Sequence, residues 1–372
     1  MQIDFHHAAT YVVAKFAGFS PEDAEIVAHS AQYVDDATSE GQIYFDNGGM
    51  YERMSSAHKL YDYRNMGALS NHRVWLPFHF LPGNCGEPRP IDPPILTREE
   101  VVERSICRPD SHPAREMMRA AVQRQDRPYA LHRLGIAAHV FCDTWAHQGF
   151  VGFNDRINLA SEVSANDEHH EKTFGERFHD YFGHEIEKAE ELLVGKSLPL
   201  GHGVVLSYPD RPYLVWSYRN GRGELVRRNN PREFAEAAAN LYQWFRRYRE
   251  HAARGREGLA LNYPLPDAFA AFEKMLAETK DEQKLDRHSK WLRAIADGTF
   301  GFNDTLGYVE SGPGSWKRAA LGEAEAASDG DKPIGCPPGF LSSHWKHFHD
   351  ALQAHRFFVL NELLPAYGIL ST

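Results

Sequence analysis

His132, His139, Asp143 and His147 lie between Leu131 and Phe150, and they carry the most legible chemistry in this chain. Advanced at 100° per residue along a helix, they fall within about 80° of one another on one side of the cylinder. Leu134, Ala137, Ala138, Phe141, Thr144 and Trp145 fill the remainder, so the helix has almost no solvated face. A helix that is apolar all round belongs in a core, where unpaired imidazoles and carboxylates are costly. A metal ion would satisfy the stripe. His139–Asp143 and Asp143–His147 are both i,i+4 pairs, so each can chelate from one face. His132, one heptad before His139, is a ligand, a supporting residue or a substrate contact. The alternative is a row of buried histidines satisfied by carbonyls, water and one another.

Other polar groups could complete such a site. His29, Gln32 and Asp36 share a helix face, with Asp35 turned about 100° away. Asp36 is therefore the expected metal-bridging carboxylate or general base. His6, in Asp4-Phe5-His6-His7, stands directly before a helix, and His58 lies in Ser-Ala-His-Lys. His202 sits between glycines that allow close backbone approach. Tyr208 to Tyr213 reads as a structured loop that could border a pocket. His344, His347 and His355 share a broad face that reads as amphipathic packing. His179-Asp180 and His349-Asp350 are His-Asp pairs on helices. HExxH, Walker A, GxSxG and GxGxxG motifs are absent.

The elements that must position these groups are mostly helical. Ser20-Pro21-Glu22-Asp23 combines an N-cap, a first-turn proline and acidic residues, and opens a helix to about Asp36. His7 to Phe16 is helical in composition and closed by Gly18. Thr97 to Glu100 is a capping box, Asp110 can cap a helix over 112–125, and Arg127-Pro128 starts the central helix. Further helices are expected at 176–194, 231–254, 265–278, 281–296 and 341–364. Strands are expected at Arg73–Phe80 and, as short runs, at Val204–Leu206 or Tyr213–Tyr218. Loops are long, proline-rich over 82–96 and rich in glycine and proline over 299–340. The expected fold is all-α: a multi-helix bundle with a central buried helix, long loops and few short strands. It forms a single domain over 1–372, with 231–297 as a candidate helical subdomain.

The chain has 372 residues, a net charge of −10 and 21 histidines. That charge, without a basic stripe, argues against long nucleic acids as partners. Cys85, Cys107, Cys142 and Cys336 are scattered with no CxxC, which argues against a disulfide framework or a cysteine zinc knuckle. No apolar run is long enough for a transmembrane span, and no secretory signal is evident, so the expected location is the cytoplasm.

His139-x3-Asp143 with a nearby downstream histidine, on an apolar helix ending Asp-Thr-Trp-Ala-His-Gln-Gly-Phe, resembles the zinc-dependent phospholipase C and single-strand nuclease superfamily. That resemblance implies an all-helical enzyme with up to three zinc ions. It also implies His6, Asp36, His58, His139, Asp143 and His147 as ligands in the superfamily's order. The histidine after Asp143 is four residues on in Trp-Ala-His, and no clear His-x3-Glu follows, so His202 stands in as the later ligand. The whole chain also resembles an uncharacterised bacterial family opening with Asp-Phe-His and carrying Gln-Tyr-Val-Asp-Asp.

The resulting expectation is a zinc-dependent hydrolase, with one to three ions and iron the less favoured metal, acting on a small-molecule or lipid phosphoester. One alternative is an HD-type phosphohydrolase built on His179 and Asp180. Another is a non-catalytic, metal-stabilised scaffold or interaction protein.

Overall fold

The computed structural model describes residues 1–58, 68–165, 201–254, 262–325, 328, 330 and 332–370. A π-helical stretch, Asp4–Ala9, runs into α1 (Thr10–Phe16) and is followed by α2 (Pro21–Asp36). Ser20 caps α2 by accepting from the Asp23 N–H at 3.1 Å, with Pro21 at the first helical position, as its sequence predicts. Then come α3 (Ala68–Phe78), α4 (Arg98–Ser105), α5 (His112–Gln123) and the central α6 (Ala130–Ala146). Thr97 and Glu100 form the expected capping box of α4. The cap of α5 is Ser111, not Asp110: the Ser111 side chain accepts from Ala114, while Asp110 adopts a φ of 47° outside the helix.

The all-α expectation is overturned. Helices dominate, but the described residues include two antiparallel sheets. One is the hairpin of β1 (Gly41–Tyr44) and β2 (Met50–Arg53). The other has three strands in the order β3 (Ala160–Ala165), β4 (Val215–Asn220) and β5 (Leu225–Asn229). These strands are short and half-exposed, so few of them carry a strong hydrophobic period. The run Tyr213–Tyr218 does enter β4. The expected strand Arg73–Phe80 is instead the end of helix α3, and Val204–Leu206 falls in a 3₁₀ turn, Gly203–Val205. Val74, Leu76, Phe78 and Phe80 are buried in alternation, which looks strand-like, but the intervening residues are also largely enclosed. An apolar run enclosed on all sides has no decisive period.

The chain continues through α7 (Asn230–Arg254), α8 (Phe269–Glu278), α9 (Lys284–Ala296), the short α10 (Trp316–Leu321) and α11 (His344–Phe357). The last helix passes into a π-helical turn, Phe358–Leu363. The expected helix 176–194 lies outside the described residues. Helix α6 lies at the centre, packed by α2, α5, α7 and α11. The crossing of α6 with α2 is close: a Cβ on Gly135 would lie 2.3 Å from the Val27 carbonyl oxygen and 2.6 Å from Ser30 Cβ. The main core, which includes Phe141, Trp145, Phe234, Phe245 and Trp291, takes in Val27, Ala28, Leu134 and Ala138 at this crossing.

Candidate metal centre

Asp143 is the hub of a buried cluster. Its Oδ2 lies 3.2 Å from His139 Nε2, 3.4 Å from His79 Nδ1 and 3.5 Å from His147 Nδ1. Its Oδ1 lies 3.2 Å from His6 Nε2 and accepts from the Met1 amine at 2.6 Å. Asp35 adds a second carboxylate, 3.8 Å from His139 Nε2 and 3.9 Å from His79 Nδ1. Asp210 forms a neighbouring arm: Oδ1 is 3.4 Å from His147 Nε2 and 3.1 Å from the Met1 amine, and Oδ2 is 3.5 Å from His202 Nε2. Three groups of ligand atoms result, each within 4.8 Å: His6–Asp35–His139, His79–His139–Asp143 and His147–His202–Asp210.

Backbone carbonyls orient these imidazoles. His139 Nδ1 donates to Ala31 across the α2–α6 crossing at 2.7 Å, and His79 Nε2 to Ser56 at 2.9 Å. His147 Nδ1 donates to the His79 carbonyl and His202 Nδ1 to Leu206, both at 2.8 Å. Each ring thereby turns its other nitrogen toward Asp143 or Asp210, with the tautomer assigned from these bonds. His6 is stacked on His139 with centroids 3.8 Å apart, and neither of its ring nitrogens has a well-formed hydrogen bond. Asp210 Oδ1 is likewise buried without one. Such orphaned, converging lone pairs fit a cation.

More distant parts of the chain hold the arms in place. Arg287, fully buried on α9, donates through Nε to Asp4 at 2.6 Å and through Nη1 to the carbonyls of Asp281 and Glu282. It also bonds the Gln2 side chain, so it clamps the segment that presents His6. Phe80 stacks on His147 at 4.5 Å. Gly201 makes room for that ring, since a Cβ there would lie 2.3 Å from Phe80 Cζ.

Burial favours neutral forms throughout, and the carboxylates oppose it locally. Burial lowers His147 to about 4 and takes His6 well below its ordinary value, the latter helped by His139. Burial would lower His139 too, but Asp143 and Asp35 outweigh it and raise that residue. Asp143 is held well below the carboxylate range: His147, the Met1 amine, His139 and His6 overcome its desolvation. Burial would also lower the Met1 amine, yet Asp143 and Asp210 raise it to about 11. Asp35 is raised by burial although its side chain is 31% exposed.

The structure brings together His6, His139, Asp143, His147 and His202 of the residues singled out in the sequence. Asp36 stands elsewhere, accepting from Gln32 Nε2 at 3.0 Å and from the Tyr308 hydroxyl, and Asp35 reaches the cluster in its place. The carbonyl of Ala31 meets His139, so the side of α2 that faces α6 one turn later carries Asp35. His58 is buried edge-to-face on Trp75 and belongs to none of the three groups. His132 pairs with His344 at 3.1 Å, away from the centre. His179 and Asp180 lie outside the described residues. Sequence reasoning missed His79, hidden in the misread apolar run, and Asp210, whose loop it marked only as a pocket border. It also missed the Met1 amine.

No curated protein and no solved structure matches this chain. The comparisons therefore bring no relative from the phospholipase C and nuclease superfamily. Residues 1–363 match a family described as a family of unknown function (DUF6765), and the chain belongs to that family.

Proposed function

We propose that this chain is a metal-dependent hydrolase, with phosphoesters as its substrate class. The observation that carries the reading is the paired orientation of His79, His139, His147 and His202. Each donates from one ring nitrogen to a backbone carbonyl and offers the other to a carboxylate cluster. His79, His139 and Asp143 would hold one ion, with His6 and Asp35 beside it, and His147, His202 and Asp210 a second, with Asp143 between them. Zinc suits this set of imidazoles and carboxylates without thiolates. When bound, such ions acidify water and offset charge on a phosphoryl group. Asp35 would orient that water and accept its proton, being the most exposed carboxylate of the cluster with its side chain 31% exposed. Phe80 and Trp75 keep bulk water from His147 and His79. A small-molecule or lipid phosphoester fits the acidic chain better than a long polyanion. The four free thiols suit the cytoplasm.

A second reading has support from one observation. The Met1 ammonium between Asp143 and Asp210 already offsets negative charge, so the cluster would be a structural network without catalysis. Elemental mass spectrometry on purified protein, with phosphomonoester and phosphodiester assays, separates the two. The expected result is at least one equivalent of zinc, lost in His139→Ala and Asp143→Asn but kept in Asp36→Asn. Activity should fall at least about 100-fold in the first two. Metal-free protein that takes up no zinc at neutral pH would overturn the proposal.

A further inference from the structure

Arg133 is the anomaly in the rest of the molecule. It lies on α6 about 9 Å along the axis and about 120° around from His139, away from the histidine cluster. Its side chain is deeply buried, the residue being 4% exposed. No group among the described residues accepts a hydrogen bond from its guanidinium, whose carbon lies 5.5 Å from the centre of the Phe358 ring; its nitrogens are not among the fully enclosed polar atoms and so reach solvent. A guanidinium has five N–H donors and remains charged, so burial without an acceptor is unfavourable. Arg124 approaches the same Phe358 ring at 5.2 Å, which brings a second positive charge close. Burial first, and then Arg124, push Arg133 down to about 10.

These two arginines line a cavity of about 410 Å³ with Arg127, Tyr129 and Phe357. One carboxylate, Asp126, also lines the cavity, 72% exposed and 3.6 Å from Arg127 Nε, and Glu362 accepts from Arg124 Nη2 at 3.2 Å, so three arginines face one carboxylate in the lining. Phe357 is 59% exposed, an aromatic face open to a ligand. Guanidinium forks match the oxygens of phosphate and carboxylate, and two of them beside one cavity favour a doubly charged anion.

We propose that this cavity is a binding site for a small organic phosphate dianion, held by Arg133 and Arg124 with its apolar part against Phe357. The inference stands apart from the proposed hydrolase centre, because it uses none of that centre's residues. It accounts for a largely enclosed guanidinium that turns to a cavity and not to a protein acceptor, and whose charge the anion would neutralise.

The test is calorimetric titration of the full chain, at a pH where the ligand is a dianion, with phenylphosphonate, a phosphate-monoester analogue that the proposed hydrolase centre cannot cleave, alongside its effect on melting temperature. Binding should appear in the wild type and in Asp35→Asn, which alters the histidine cluster. Arg133→Met should weaken it at least tenfold, and Arg124→Gln several-fold. Without ligand, Arg133→Met should melt at or above the wild-type temperature, since an uncompensated charge has been removed; a merely structural arginine would give the opposite. Arg133→Lys, which keeps the charge but lacks the fork, should also bind at least tenfold more weakly. Benzoate, a monoanion of similar shape, should bind more weakly than phenylphosphonate. The proposal is overturned by absence of binding to the wild type, or by undiminished binding in Arg133→Met and Arg133→Lys. It is equally overturned if binding is lost in Asp35→Asn and kept in Arg133→Met, which would put the anion at the histidine cluster, or if benzoate binds as tightly.

Discussion

Asp143 concentrates the energetics of the centre in one carboxylate. It faces the Met1 amine and four imidazoles while 1% exposed, so its charge is compensated from several sides at once. Removing one member of a buried charged set leaves its partners uncompensated, which typically costs about 3–5 kcal/mol. Asp143→Asn should therefore lower the melting temperature even after metal has been dialysed away, besides abolishing metal uptake. Unchanged thermal stability in the metal-free variant would show that the carboxylate is not the electrostatic hub. Much of this centre is legible in the residue string, because His139, Asp143 and His147 repeat at helical spacing. The choice between Asp35 and Asp36 is not. Adjacent residues differ by about 100° around a helix, and only the packing of α2 decides which of them faces inward.

The element that sets this choice is the α2–α6 crossing. Gly135 lets the Val27 carbonyl and Ser30 approach, and the same crossing brings the Ala31 carbonyl to His139. Gly135→Ala would place a methyl group inside contact distance of backbone on the neighbouring helix. The helices would have to separate, at a cost of about 1–3 kcal/mol despite the better helix propensity of alanine. The variant should lose stability on chemical denaturation and bind zinc more weakly, because Asp35 and the His139 hydrogen bond move together. Wild-type stability and zinc affinity in Gly135→Ala would mean that the crossing has room to spare. Helix starts such as Ser20-Pro21 and Thr97 to Glu100 are readable because capping is a local reaction between neighbours. The short strands are less so, since their pairing depends on segments far apart: β3 joins β4 across about 50 residues of sequence.

Across the whole molecule, buried neutral histidines link folding to pH. His349 accepts from the Met54 N–H at 3.2 Å, and His355 Nε2 donates to the Pro77 carbonyl at 3.0 Å; neither belongs to the three candidate ligand groups. Burial, and then the nearby Arg53 and Arg133 respectively, lower each to about 3. An unfolded histidine titrates near 6.5, so between pH 6.5 and 3 the unfolded chain binds more protons than the folded one. Their contribution is complete above pH 6.5 and is lost progressively as pH falls toward 3. Each should remove about 2 kcal/mol between pH 6.5 and 5. Urea midpoints measured at pH 7, 6 and 5 should therefore fall steadily, and the fall should be smaller in His355→Asn. A flat profile would mean that these rings are reachable by protons in the folded state. At the same scale, no helix among the described residues is long and apolar enough to cross a membrane.

By itself, the sequence determined the helical elements with strong local signals, a buried central helix and the row of histidines and Asp143 along it. Those properties follow from spacing and capping, interactions that span only a few residues. Tertiary structure alone decided that His79 and Asp210 join the row, that Asp35 replaces Asp36, and that Arg287 on a distant helix clamps the segment bearing His6. It also decided that Arg133 ends in a cavity without an acceptor. Each of these depends on the relative placement of segments remote in sequence, and that placement is set by packing, which no local period encodes.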